Sequence, residues 1–415
     1  MTNDSPAKSI HTGVLTINGG SSSIKFALYQ MGESLEKSFY GSIDRIGLPG
    51  KNLTFSDSKR NEKDTFLLEL SDTRTASNIL IDWLEKQKGF SSVVAIGHRV
   101  VHGMNHTGPE IITNELLTEL HLISPYDPDH LPAEIELIEL IQKRYPKILQ
   151  VACFDTAFHR NMPRVAKLLP IPRRFDKLGI QRYGFHGLSY SYLMEELANV
   201  AGSKAAQGRV ILAHLGNGAS MTAVYGGKSI DTSMGFTPAG GLTMGTRPGD
   251  LDPGVAWYMM KSENLTPKNF NKLINHESGL IGISETSSDM RDLLAKENDD
   301  IRAAEAVELF CYQAKRWIGS FAAALGGLDT LVFAGGIGEN CPVIRSRICE
   351  GLGFLGIELE EKRNITNSPL ISTDKGSTVV RVIHTDEELM IAKTVSQILN
   401  LNNETRPDYE NKKSI

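Results

Sequence analysis

The chain is short of three things, and each absence removes a class of function. No apolar run approaches the roughly 20 residues that span a bilayer, and the opening MTNDSPAKSIHT has neither the apolar core nor the cleavage pattern of a signal peptide. A cytosolic protein with no membrane partner is expected. A basic excess is missing too: 44 Lys and Arg stand against 49 Asp and Glu, which excludes the electrostatic footprint of a nucleic-acid binder. Only four cysteines occur, Cys153, Cys311, Cys341 and Cys349, and none forms a CxxC pair. That argues against a zinc site or a disulfide framework and for reduced core thiols. At 415 residues the chain is long enough for two domains with a cleft.

The stretch INGGSSSIKFALY, residues 17–29, has a strand before a Gly/Ser patch and another after it, a hairpin rather than a strand-to-helix junction. In SSVVAIGHRVVHG the period is two, which places Arg99 and Val101 on one face and His98, Val100 and His102 on the other. LPAEIELIELIQKRYP has helical spacing and stops at Tyr145 before Pro146; the continuous apolar run KILQVACF then ends in Asp155. RVILAHLGNGASMTAVY repeats the strand, glycine turn, strand plan of the opening segment. Two such hairpins, one per half, predict a duplicated architecture without any repeat in sequence identity. Val307, Phe310, Cys311, Ala314, Trp317, Ile318, Phe321 and Leu325 follow a helical stagger that Gly326-Gly327 ends. The strand LDTLVFA and the turn GGIGEN come next, then a helix that Asn340 is expected to cap, with Pro342 in its first turn. The polar tail NLNNETRPDYENKKSI reads as frayed.

A glycine-rich turn lets backbone N–H groups approach an anion, serine hydroxyls add donors, and Lys25 supplies a charge. The opening turn is not a P-loop, because Ile24 rather than glycine precedes Lys25 and a strand follows. Alone, such a hairpin is more often a plain turn. HLGNGAS (214–220) and GGIGEN (335–340) add two more glycine turns at strand ends, the last at a helix N-terminus, and three of them fit a nucleotide lying across a cleft. Arg99, Asp155, His186 and Arg247 all stand beside glycine or at strand ends, where side chains converge on clefts. Each of these alone also fits a paired face, a cap or a satisfied loop residue.

Taken together, NGGSSSIKF, GHRVVHG, FDTAFH, RYGFHG, HLGNGAS, GFTPAGGLTMGTRPGDLDP, SSDMRDL, FAGGIGEN and TDEELMIA closely resemble the acetate kinase family, in order and over nearly the whole chain. The resemblance implies an α/β, duplicated actin-like (ribonuclease H-like) two-domain fold with a nucleotide cleft between domains. One domain would be 1–157 plus 386–415, and a nucleotide-binding and dimerisation domain would be 158–385. It also implies a homodimer, ATP as co-substrate, Mg²⁺ or Mn²⁺, and phosphate transfer to a short-chain carboxylate. Carried over by position, Asn18 and Glu387 would lie near the metal, and Ser21, Ser23 and Lys25 at the phosphates. Arg99, Asp155, His186 and Arg247 would surround the transferred phosphoryl group. His214, Leu215, Gly216, Asn217 and Gly218 would cradle phosphates, while Asp289, Met290 and Arg291 would run along the nucleoside and Gly336, Ile337, Gly338, Glu339 and Asn340 would continue that wall. Val101, Tyr126, Phe185 and Pro238 would border the acyl pocket.

Phosphoryl transfer asks chiefly for positioning and charge neutralisation, which two arginines, a histidine and a divalent cation supply. A carboxylic acid of pKa roughly 4–5 is already ionised at neutral pH, so no general base is required. Asp155 is then expected to order the nucleophile's surroundings through metal-bound water, and His186 to donate to the phosphoryl group in flight. Two departures from the family pattern stand out: SPYDPDHLP, with Tyr126, Asp127 and Pro128 at the border of the acyl pocket, and Leu188-Ser189-Tyr190 behind His186. Val101 favours acetate, because a smaller residue would admit another methylene, worth about 0.8 kcal/mol on burial. The rival readings are a propionate kinase, a pyrophosphate-dependent enzyme, which the open wall at Gly336 and Ile337 disfavours, and a non-catalytic actin-like nucleotide-binding protein.

Overall fold

A computed structural model describes residues 12–20, 23–46, 51–58, 62–67 and 75–401. Ser21, the N-terminal leader and the polar tail from residue 402 onward lie outside the described residues. The chain divides into two compact units, Met1–Ala157 with Glu387–Ile415, and Phe158–Asp386.

In the first unit the hairpin is present: β1 (Gly13–Gly19) and β2 (Ser23–Met31) pair antiparallel, with Asn18 opposite Lys25 and Gly19 opposite Ile24. The meander continues through β3 (Leu35–Asp44), β4 (Asn52–Asp57) and β5 (Glu62–Leu67). On the other side of β1, β6 (Val93–Val100) runs parallel to it; β7 (Glu110–Ile111) and β8 (Leu149–Phe154) complete an eight-stranded sheet of order β5-β4-β3-β2-β1-β6-β8-β7. Alternation puts Leu15, Ile17, Phe26 and Leu28 on one face, packed with Ile79, Leu80 and Leu84 of the helix Ala76–Leu84 and with Leu137 and Ile141 of the helix Leu131–Arg144. Full burial of such side chains stabilises by about 1.5–3 kcal/mol each. The helix Glu387–Ile398 covers β6 elsewhere, and it does so at a glycine: a Cβ on Gly97 would lie 2.4 Å from Ile391 and 2.6 Å from Val395. Sequence position 387 is thereby returned to the strands that begin the chain.

The second unit repeats the plan. β9 (Arg209–Leu215), β10 (Ala219–Tyr225) and β11 (Lys228–Thr232) form an antiparallel meander, and β12 (Thr330–Ala334) and β13 (Val379–Val382) extend it in parallel, in the order β11-β10-β9-β12-β13. The first unit's β3-β2-β1-β6-β8 has the same succession of directions. The duplication expected from two glycine hairpins is therefore a duplication of topology. Val210, Leu212 and Val332 pack with Tyr190, Leu193 and Leu197 of the helix Gly187–Ala201. The long helix Ile301–Leu325 starts at Asp300, whose side chain accepts from Arg302 N–H, and ends at Gly326, whose left-handed φ of 69° suits a residue without Cβ.

GGIGEN is itself a helical turn, Gly335–Asn340, rather than a loop ahead of one. Asn340 does not cap the next helix, Pro342–Cys349: Cys341 holds that position, and the Asn340 amide donates back to the Gly336 carbonyl at 3.0 Å. The turn closes on itself before the proline restarts the helix. Cys153, Cys311 and Cys349 are buried free thiols and Cys341 is a half-buried one. Among the described residues no helix is long and apolar enough to cross a membrane.

Candidate functional site

The first unit gathers polar residues at the turn end of the β1–β2 hairpin. Gly20 N–H closes that turn onto the Ser23 carbonyl at 2.8 Å, and Lys25 lies exposed across from Asn18. Buried Asn18 donates to Glu387 Oε2 at 2.8 Å and to Glu388 Oε1 at 3.3 Å, and its Oδ1 accepts from Arg99 Nη1 at 3.2 Å. Arg99 in turn places Nε and Nη2 on a single oxygen of Asp155, at 3.0 and 2.6 Å. The Asp155 side chain is only 1% exposed and that of Arg99 15%, so the pair is held by the core while the guanidinium keeps an accessible edge. Burial opposes the guanidinium's charge, but Asp155 and then Glu387 outweigh it and raise the Arg99 pKa. Asp155 thus meets Arg99 directly, a partnership that strand positions alone do not reveal. β6 ends at Val100, so the pleat that aims Arg99 no longer governs Val101. Tyr126 is half-buried in a short 3-10 turn, Ser124–Tyr126.

Among the described residues no group of three or more His, Cys, Asp or Glu side chains is placed to hold a metal. Glu387 and Glu388 nevertheless bring two carboxylates together at the Asn18 amide N–H, while the Asn18 oxygen faces Arg99, and carboxylate oxygens are the donors a hard cation such as Mg²⁺ takes when water and phosphate supply most of its ligands.

In the second unit His186 ends a strained approach to the helix Gly187–Ala201, at φ 59° and ψ 26°. Its Nδ1 hydrogen-bonds with Ser220 Oγ at 2.8 Å, and Tyr190 Oη reaches the same hydroxyl. Its ring stacks on His214 at 4.3 Å between centroids, and His214 Nδ1 meets Ser189 Oγ, itself bonded to Thr385, each at 2.8 Å. Tyr190, one of the two departures from the family pattern there, and Ser189 therefore brace the two histidines. Arg247 donates from Nη1 to the Pro238 carbonyl at 2.7 Å. A Cβ on Gly218 would stand 2.8 Å from Arg247 Nη2 and 3.4 Å from His186 Nε2, so both heads converge on that glycine. Phe185 is buried, and its carbonyl meets His159 Nε2 at 3.1 Å.

Beside this turn lies a cavity of about 570 Å³. Gly216, Asn217, Asp289, Met290, Arg291, Gly336, Ile337 and Asn340 line it together with Ser288 and Cys341. Eight residues singled out from the sequence thus share one hollow. Asp289 caps the helix Met290–Lys296 and takes two hydrogen bonds from the Arg291 guanidinium, which holds its carboxyl below the usual range. Leu215 is buried; Gly338 and Glu339 turn inward. Glu339 accepts from Gly335 N–H at 2.8 Å and Thr385 N–H at 3.1 Å, fixing the turn from behind rather than lining the cavity. Sequence reasoning passed over Glu388, Ser189, Ser220 and Thr385 as partners, and Glu134 altogether. Only the last carried a signal: an acid on the apolar stripe of LPAEIELIELI.

The family model described as "Acetokinase family" matches residues 13–393. The acetate kinase of Rhodopseudomonas palustris (strain TIE-1) is 44% identical over 389 residues, covering 92% of this chain and 97% of its own. Among solved structures, Porphyromonas gingivalis acetate kinase superposes with a TM-score of 0.82 at 36% identity, over 94% of this chain and 100% of its own. A propionate kinase from Francisella tularensis subsp. tularensis superposes with a TM-score of 0.85 at 36% identity, over 92% and 98%.

Proposed function

The chain belongs to the acetokinase family, and on that footing we propose that it transfers the γ-phosphoryl group of ATP to acetate, reversibly and in line. A carboxylate oxygen forms the new P–O bond as the bond to the departing ADP oxygen breaks, and no proton moves. In this reading the Arg99 guanidinium, fixed by Asp155, receives the acceptor carboxylate. Val101 and Tyr126 border the alkyl group on the first unit, and the acyl-pocket roles of Phe185 and Pro238 rest on the family resemblance. The 570 Å³ cavity takes the nucleoside, and His214 and the Gly216–Gly218 turn take phosphates; Ser21, Ser23 and Lys25 are assigned to phosphates by the family resemblance. His186 and Arg247 neutralise charge that develops on the equatorial oxygens. Asn18 and Glu387 would hold Mg²⁺ or Mn²⁺, which neutralises phosphate charge when bound.

The observation that carries the reading is the meeting of His186 Nε2 and Arg247 Nη2 over Gly218, next to a cavity of nucleotide size. A cytoplasmic homodimer is part of the proposal. Val255, Trp257 and Tyr258, on the helix Pro253–Ser262, are 43%, 63% and 65% exposed, an apolar surface that a second copy would cover. The test is hydroxamate trapping of acyl phosphate from acetate, propionate and butyrate, each with ATP or pyrophosphate. Formation fastest with acetate and ATP is expected. Faster formation from propionate would make the chain a propionate kinase, and none from any acid would overturn the reading.

A further inference from the structure

The helix Leu131–Arg144 lays Leu131, Ile135, Ile138 and Ile141 on the first unit's core, and Glu134 falls on the same stripe, only 4% exposed. Its Oε2 accepts the Val101 N–H at 3.1 Å, while Oε1 is buried with no hydrogen-bond partner. Its Cγ lies 3.6 Å from where a Cβ on Gly19 would stand, one residue from Asn18. Arg99, Asp127 and Asp155 all act on it electrostatically. An apolar residue at 134 would continue the stripe and remove the unsatisfied Oε1, but it would leave the buried Val101 N–H without its acceptor. What only an acceptor provides is a bond to Val101, whose N–H lies beyond the end of β6 at Val100, where the strand ladder has stopped.

We propose that Glu134 is a positioning residue that pins the Arg99–Val101 segment and thereby sets the seat of the acceptor carboxylate and its alkyl group. The inference rests on the carboxylate-kinase reading above and adds a residue to it. Burial pushes the Glu134 carboxyl up to about 8, against the pull of Arg99 and the Val101 N–H, so at neutral pH glutamine is its close mimic.

The test compares the wild type with E134M, which keeps the volume and removes the acceptor, and with E134Q, which keeps an acceptor oxygen. The expected result is an acetate KM raised about 10- to 100-fold in E134M with the ATP KM within twofold, and an acetate KM within about threefold of wild type in E134Q. Hydrogen exchange at the Val101 amide reads the pinning without catalysis: slow in the wild type and E134Q, fast in E134M. An E134M enzyme with unchanged acetate KM, or with both KM values raised alike, overturns the proposal. So does unchanged Val101 exchange in E134M. A wild type that phosphorylates no acid yet shows the expected exchange pattern would retire the kinase reading while leaving the pinning intact.

Discussion

Gly218→Ala adds one methyl group at the point where the Arg247 and His186 side chains converge. The new carbon would sit 2.8 Å from Arg247 Nη2, against 3.4 Å from His186 Nε2, which is at the edge of ordinary contact. The guanidinium must therefore withdraw by roughly half an ångström, and its bond to the Pro238 carbonyl limits where it goes. A misplacement of about 1 Å costs on the order of 100-fold in rate, so roughly a 10-fold loss in kcat is expected, about 1.4 kcal/mol. The fold should not notice, because the atom that yields ends a flexible side chain. Gly335→Ala is the contrast: with φ at 76° and a Cβ 2.7 Å from the Leu215 carbonyl oxygen, nothing nearby gives way. There the expected loss is about 2–4 kcal/mol of stability. Acyl-phosphate turnover and thermal melting on both variants check this. A Gly218→Ala enzyme with wild-type kcat, or one whose melting temperature falls as far as that of Gly335→Ala, would refute the reasoning.

Three further outcomes are expected. His186→Ala should lose kcat by about 10²–10³-fold with the KM values little changed, since a donor used in the transition state contributes mainly there; equal losses in binding and turnover would make it a ground-state contact. Asp155→Asn removes the anion on which Arg99 rests and should lower turnover by about 100-fold while leaving the acidic limb of the pH profile in place; a limb that moves would make Asp155 the base. Burial lowers the pKa of His98 and of His159 to about 4, so both stay neutral when folded while their unfolded counterparts take up protons near 6.5. The unfolded state then binds more protons, so stability is whole above pH 6.5 and is lost as pH falls through 4, about 3 kcal/mol per histidine. Urea unfolding at pH 7 and pH 4.5 should show this slope, and His98→Gln should flatten it in the unit that contains β6.

Much of the fold was legible because its signals are local. Glycine between two apolar runs announces each hairpin, and the cavity lining is clustered in three short motifs that keep their order along the chain. The partnerships were not legible. Asp155 holds Arg99 across 56 positions and Ser220 holds His186 across 34, and no periodicity couples residues so far apart. Asn340 illustrates a different limit: Asn before Pro is a fair capping signal, yet GGIGEN was already helical and its last amide found a carbonyl inside the turn. The shared face of Arg99 and Val101 reaches one residue past the strand, since β6 ends at Val100 and the alternation argument holds only while the strand does. Glu134 broke the stripe of its own helix, the kind of local conflict that marks a position under other demands.

The bond between Asn18 and Glu387 joins residues 369 positions apart. A ribosome delivers the first of them early and the second only after the whole of the other unit has been made, so the nascent first sheet must wait with the Gly97 stretch of β6 uncovered. Truncated products that stop short of residue 387 would lack that cover and the carboxylate together. Quality control and, on the proposed role of Glu387, catalytic competence therefore depend on the same late-arriving helix.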